Sequence, residues 1–186
     1  PAPLHNPEPM LSPVALVQPP KRASAWLQAA FQWLTIGVLG LVSYLLISHF
    51  VVQTVTVVGV SMVPTLHNSD HYLLNRWVYY FHSPRLADVV VIRDPLDHGF
   101  AVKRIVAGPG SAIEVRGGNV YVNGHKLLET YLSSGTRTFA ALPHNEQSFK
   151  CGADQYFVMG DNRNDSLDSR VYGPVWRKDI LGLVIR

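Results

Sequence analysis

Ala112-Ile113-Glu114-Val115-Arg116-Gly117-Gly118-Asn119-Val120-Tyr121-Val122-Asn123-Gly124-His125-Lys126-Leu127-Leu128 carries the alternation of successive β-hairpins. Ala112–Arg116 and Asn119–Val122 flank Gly117-Gly118, a two-residue hairpin signal. Asn123-Gly124 offers a type I′ turn into a further strand over His125–Leu128. Outward in both directions the same pattern recurs. Upstream are Ala101–Val106 (AVKRIV), Asp88–Arg93 (DVVVIR) and the β-branched, charge-free Val51–Val58; downstream are Gln155–Met159 and Ile180–Ile185. No segment after residue 60 sustains a 3.6-residue apolar period over three turns. The expectation is a mostly β domain with closely spaced strands and Gly/Pro turns.

Toward the N-terminus the pattern changes. No Asp, Glu, Lys or Arg occurs between Arg22 and Asp70, and Trp26–Val52 is dominated by aliphatic and aromatic residues. About 20 apolar residues suffice for a membrane-spanning helix, so residues 23–52 are read as a single transmembrane anchor. A cleavable signal peptide competes for the same segment. The run is longer than a signal core, however, and no small-x-small site leads into a polar mature start. Residues 1–22 form a Pro-rich tail, with seven of the 13 prolines in the first 20 positions and little that could enter a core. Lys21 and Arg22 flank only the N-terminal side of the span. The positive-inside rule therefore puts the tail in the cytoplasm and residues 53–186 outside a plasma membrane crossed once.

Composition agrees with this division. Hydrophobic residues make up 47% of the chain and charged residues 16%, short of the usual quarter. The net charge of +3 is scattered, without the basic stripe a nucleic-acid partner requires. The lone Cys151 precludes an intramolecular disulfide, and its reading as a nucleophile lacks an evident histidine partner. The eight histidines form neither an H-E-x-x-H pattern nor a Cys/His pairing. No metal and no cofactor is expected.

Three segments carry reactive chemistry. In Gly59-Val60-Ser61-Met62-Val63-Pro64-Thr65-Leu66 an apolar strand stops at a glycine and presents a serine. Such a turn can supply both a nucleophile and a backbone oxyanion donor, and it is equally an ordinary strand-ending turn. Lys103 lies inside an apolar strand and shares a face with Ala101 and Ile105, whereas Arg104 points the other way. One of these cations must face the packed side. A buried lysine has its pKa lowered and becomes a usable base; a lysine on an edge strand snorkels to water instead. Residue chemistry leaves both readings open. The third segment, Gly160 through Arg170 (GDNRNDSLDSR), alternates acid, amide, cation and hydroxyl, as a solvated loop or a buried polar network does.

Together these segments resemble bacterial signal peptidase I. Ser61-Met62-Val63-Pro64-Thr65-Leu66 matches that family's serine box. Lys103-Arg104-Ile105-Val106-Ala107-Gly108-Pro109-Gly110 matches its lysine box, and Gly160–Arg170 fills every fixed position of its G-D-N-R-x-x-S-x-D-S-R box. Asp88–Val91 matches a weaker fourth. The resemblance covers about Val51 to Arg186 and implies a β-rich catalytic domain behind a single transmembrane helix. It implies a serine endopeptidase that removes signal peptides from exported preproteins at a lipid bilayer.

Residue by residue, the resemblance implies Ser61 as nucleophile and Lys103 as general base. It implies Ser166 as the hydroxyl that orients the lysine, Asp168 and Arg170 as a supporting ion pair, and Asp161 as a structural acid in the same loop. Gly59 stands where some members carry an oxyanion-donating hydroxyl. Ala107 interrupts the family's I-V-G run. An extended substrate is expected to add to the strand at Gln53–Val58. Val55, Val57, Leu66, Ala101 and Val102 are expected to wall pockets for small side chains, and Arg104 is expected to lower the lysine pKa by like charge.

Overall fold

The computed structural model describes residues 22–50, 52–141 and 146–185. The tail expected over residues 1–22 lies outside them except for Arg22, and so does Val51. One helix, α1 (Arg22–Phe50), is 29 residues long. Within it Ala25–Ile47 has a mean hydropathy of 1.8 and no buried side chain. An apolar helix of that length, exposed on all sides, fits a membrane span. The chain divides into two compact units, residues 1–43 and 44–186, so the break falls inside α1.

The second unit is built from β1 (Val52–Thr56), β2 (His71–Asn75), β3 (Val89–Arg93), β4 (Phe100–Ala107), β5 (Ala112–Arg116), β6 (Asn119–Val122), β7 (His125–Lys126), β8 (Gln147–Lys150), β9 (Gln155–Met159), β10 (Val175–Trp176) and β11 (Ile180–Ile185). The short helices α2 (Val78–Phe81) and α3 (Ser169–Tyr172) and a 3-10 turn at Arg177–Asp179 interrupt them. One sheet runs β1-β2-β11-β3-β4-β9-β10 and the other β7-β6-β5-β8, and every pairing is antiparallel. Both hairpin turns have positive φ at their two central residues: Gly117 (58°) with Gly118 (80°), and Asn123 (53°) with Gly124 (81°). That is the type I′ geometry whose twist suits a hairpin.

Side-chain alternation sorts the core. Val90 and Ile92 of β3, Ile105 of β4, and Tyr156 and Val158 of β9 join one buried cluster. Phe157 and Met159 of β9, with Val106 and Ala107 of β4 and Ile113 and Val120 of the second sheet, join another. Strand β9 is thus buried on both faces, which accounts for its unbroken apolar run. The register of β4 against β9 shifts between Ile105 and Ala107, so Val106 and the interrupting Ala107 occupy a bulge. A third cluster of Val57, Met62 and Leu66 packs with Val89 and Val102 beneath the serine turn.

Candidate active site

The turn bearing Ser61 is fixed from below. Met62 and Leu66 are each 1% exposed, and the backbone closes through Val63 N–H to Val60 O at 3.1 Å and Leu66 N–H to Met62 O at 2.9 Å. The Val63–Pro64 peptide is cis. Gly59 enters the turn at φ +105°, a conformation L side chains rarely adopt. Open space around its Cβ position does not relieve that backbone requirement. A serine there, as some family members carry, would be strained. From the far side Asn162 donates its backbone N–H to Ser61 O at 2.9 Å and its side-chain amide to Val60 O at 3.2 Å. The loop of Gly160–Arg170 is thereby tied to the serine turn.

Lys103 sits in β4 opposite Val90, only 4% exposed, with Nζ donating to Ser166 Oγ at 3.0 Å. Burial pushes its pKa down, opposed by the negative charges of Asp168 and Asp94 and aided by Arg170. Arg170 thus supplies the like charge expected from Arg104, which is neutralised elsewhere. Gly160 holds the serines close: a Cβ there would collide with Ser166 Oγ and lie 2.6 Å from Ser61 O. Only glycine lets the loop approach this tightly.

The choice expected between Lys103 and Arg104 does not arise, because both are buried. Arg104 forms a two-point pair with Asp161, Nε to Oδ1 at 2.8 Å and Nη2 to Oδ2 at 2.6 Å, lies 4.1 Å over the Tyr131 ring and reaches Thr65 Oγ1 at 3.2 Å. Thr65 in turn donates to Asp161 at 2.5 Å. Asp168 and Arg170 form a second two-point pair at 2.9 and 2.8 Å. Asp168 also accepts from Gly160 N–H at 3.0 Å and from Arg170 N–H at 3.1 Å as the cap of α3. A third pair, Arg163 with Glu129 at 2.5 Å, anchors the same loop to the 129–139 segment through Thr138 at 2.5 Å. Neither Arg104 as the partner of Asp161 nor the Arg163–Glu129 pair was anticipated. The Lys-Arg dipeptide inside an apolar strand hinted at the former, and nothing local marks the latter.

A groove of about 480 Å³ opens beside Ser61. Val55, Val57, Ala101 and Val102 line it, and Arg76 and Leu181 lie at its far end. Leu66, expected among the walls, is instead core and does not line the groove. Strand β1 is the edge of its sheet. The first residues of β4 pair only with β3, since pairing to β9 begins at Arg104. Cys151 is 1% exposed, and burial pushes its thiol up to about 11, far from a nucleophile's range. Among the described residues no group of three or more His, Cys, Asp or Glu could hold a metal ion.

Residues 30–186 match the family model described as signal peptidase, peptidase S26. The chain belongs to that family. It is similar to signal peptidase I of Bacillus amyloliquefaciens, 34% identical over 75% of each chain. It is also similar to the probable signal peptidase I-1 of a Synechocystis strain, 35% identical over 76% of this chain and 74% of that one. A solved signal peptidase I from Enterococcus faecalis aligns with 56% of this chain and 98% of its own at 28% identity and a TM-score of 0.47. Membership in the signal peptidase family makes the chain a serine protease that removes signal peptides from preproteins, and the apolar α1 fits its membrane anchor.

Proposed function

We propose that Ser61 is the nucleophile and Lys103 the general base of this signal peptidase. The observation that carries the reading is the burial of Lys103 Nζ against Ser166 Oγ, in a loop whose Asn162 grips the Ser61 backbone. A neutral Lys103 takes the Ser61 proton as Oγ attacks the scissile carbonyl. Backbone N–H groups, that of Ser61 among them, hold the oxyanion. Lys103 then returns the proton to the departing amine, and the acyl-enzyme is hydrolysed by water activated through the same amine. Ser166 orients the lysine. The Asp168–Arg170 and Arg104–Asp161 pairs keep the loop and β4 in register around it.

The substrate lies extended in the groove between the β1 edge and the open start of β4, where backbone groups on both sides can pair with it. Alternate side chains then enter pockets walled by Val55, Val57, Ala101 and Val102, which favours small residues one and three positions before the cut. The anchor lies within residues 23–52 and crosses a plasma membrane once, with the tail cytoplasmic and the peptidase domain, 53–186, outside. The chain works with preproteins and lipid, and without nucleic acid, metal or cofactor. Incubation of a preprotein with the detergent-solubilised chain, followed by N-terminal sequencing of the product, tests the reading. Cleavage after a small residue by wild type and none by Ser61→Ala is the expected result; equal cleavage by Ser61→Ala overturns it.

A further inference from the structure

A second cavity, of about 250 Å³, lies at the other end of the groove. Arg76, Arg177 and Lys178 line it together with Tyr79 and Tyr80. Among the described residues none of the three cations forms an ion pair, whereas the buried Arg104, Arg163 and Arg170 each have a carboxylate. Asp179, next in the chain, does not line the cavity. The cations are framed rather than scattered. Arg177 donates to Tyr79 O and lies 5.3 Å over the Tyr79 ring. Gly182 lets Arg76 approach β11, since a Cβ there would lie 3.1 Å from Arg76 Cα. Beside the cavity Trp77, Tyr80 and Phe81 are exposed by 43%, 82% and 73%.

Position supplies the ligand. Val52 at the start of β1 pairs with Asn75, the last residue of β2, so Arg76 leaves the sheet where the chain enters it. The candidate span ends at Ile47. A connecting chain extends at most about 3.5 Å per residue, which tethers the Val52 end within about 18 Å of the bilayer. Unpaired cations in a tyrosine-lined hollow, flanked by exposed aromatic rings, suit a lipid phosphate with the rings at headgroup depth.

We propose that Arg76, Arg177 and Lys178 form a binding site for the phosphate of an anionic phospholipid headgroup, and that the bound lipid seats the groove's far end on the membrane. The proposal rests on the reading of α1 as an anchor. It is tested with the full chain in phosphatidylcholine vesicles, with and without a quarter of phosphatidylglycerol, by hydrogen exchange of residues 76–81 and 177–181. Anionic lipid should slow exchange there by about fivefold or more, each cation near an anionic surface being worth roughly a fivefold factor. Arg76→Gln with Lys178→Gln should abolish the slowing, and Arg76→Lys should keep most of it. Equal exchange in both vesicles with the protein still floating on them, or persistence of the effect in the double variant, overturns the proposal alone. Equal slowing by free glycerol phosphate over phosphatidylcholine overturns the lipid as ligand. Failure to float with either vesicle overturns the anchor reading, and the proposal falls with it.

Discussion

In the proposed mechanism the chemistry turns on Lys103. At its ordinary value of 10.5 only about one lysine in three thousand is neutral at pH 7, too few for an efficient base. Burial lowers that value, so kcat/KM should rise with pH along a limb whose apparent pKa lies well under 10.5, and Lys103→Arg should be inactive because guanidinium stays protonated. An active arginine variant would remove Lys103 as base. The same shift bears on stability. Between the folded-state value and 10.5 the unfolded chain binds more protons, so the Lys103 contribution makes the fold more stable as pH rises through that window. Ser166→Ala should slow turnover by about 5- to 150-fold, the 1–3 kcal/mol of one lost orienting bond, without matching the loss in Ser61→Ala; equal loss would give Ser166 a larger part. Gly59→Ser should cost about 1–3 kcal/mol of stability at its positive φ, read as a lowered denaturation midpoint. Ser61 and Lys103 stood out, one in a turn after an apolar strand and the other inside one, but their roles were legible only through the resemblance. The backbone demand at Gly59 was not legible, since a glycine's φ leaves no mark on its neighbours.

Strand β4 and the loop of residues 160–170 act as one element, locked by paired charges across buried space. Removing one partner leaves the other charge unpaired in low dielectric. Asp161→Asn should therefore destabilise the domain by about 3–5 kcal/mol, measured by urea titration, a larger loss than any rim substitution. At this scale the strands with period-2 or apolar runs were readable, β3 to β6, β9 and β11 among them. Strands β2, β8 and β10 were not. His71–Asn75 and Gln147–Lys150 mix polar and apolar residues without strict alternation, and Val175–Trp176 is two residues long. Their pairing is imposed by neighbours already in place. Helices α2 and α3, four residues each, are too short to show any period. The Arg163–Glu129 pair escaped notice because its partners lie 34 positions apart.

Across the whole molecule, one groove connects Ser61 to Arg76 and Leu181. Ala101 lines this groove while pairing with Ile92, so in the proposed binding mode Ala101→Phe should lower kcat/KM about tenfold or more by overfilling the pocket. An undiminished rate would move the binding mode elsewhere. Cys151 lies outside that groove, sealed between β5 and Phe157. As the chain's lone thiol, held protonated and shielded, it is inert to alkylating reagents until the second sheet parts. The rate at which a maleimide reaches it in the intact membrane protein is thus a clock for opening events, and it needs no added label to be read by mass.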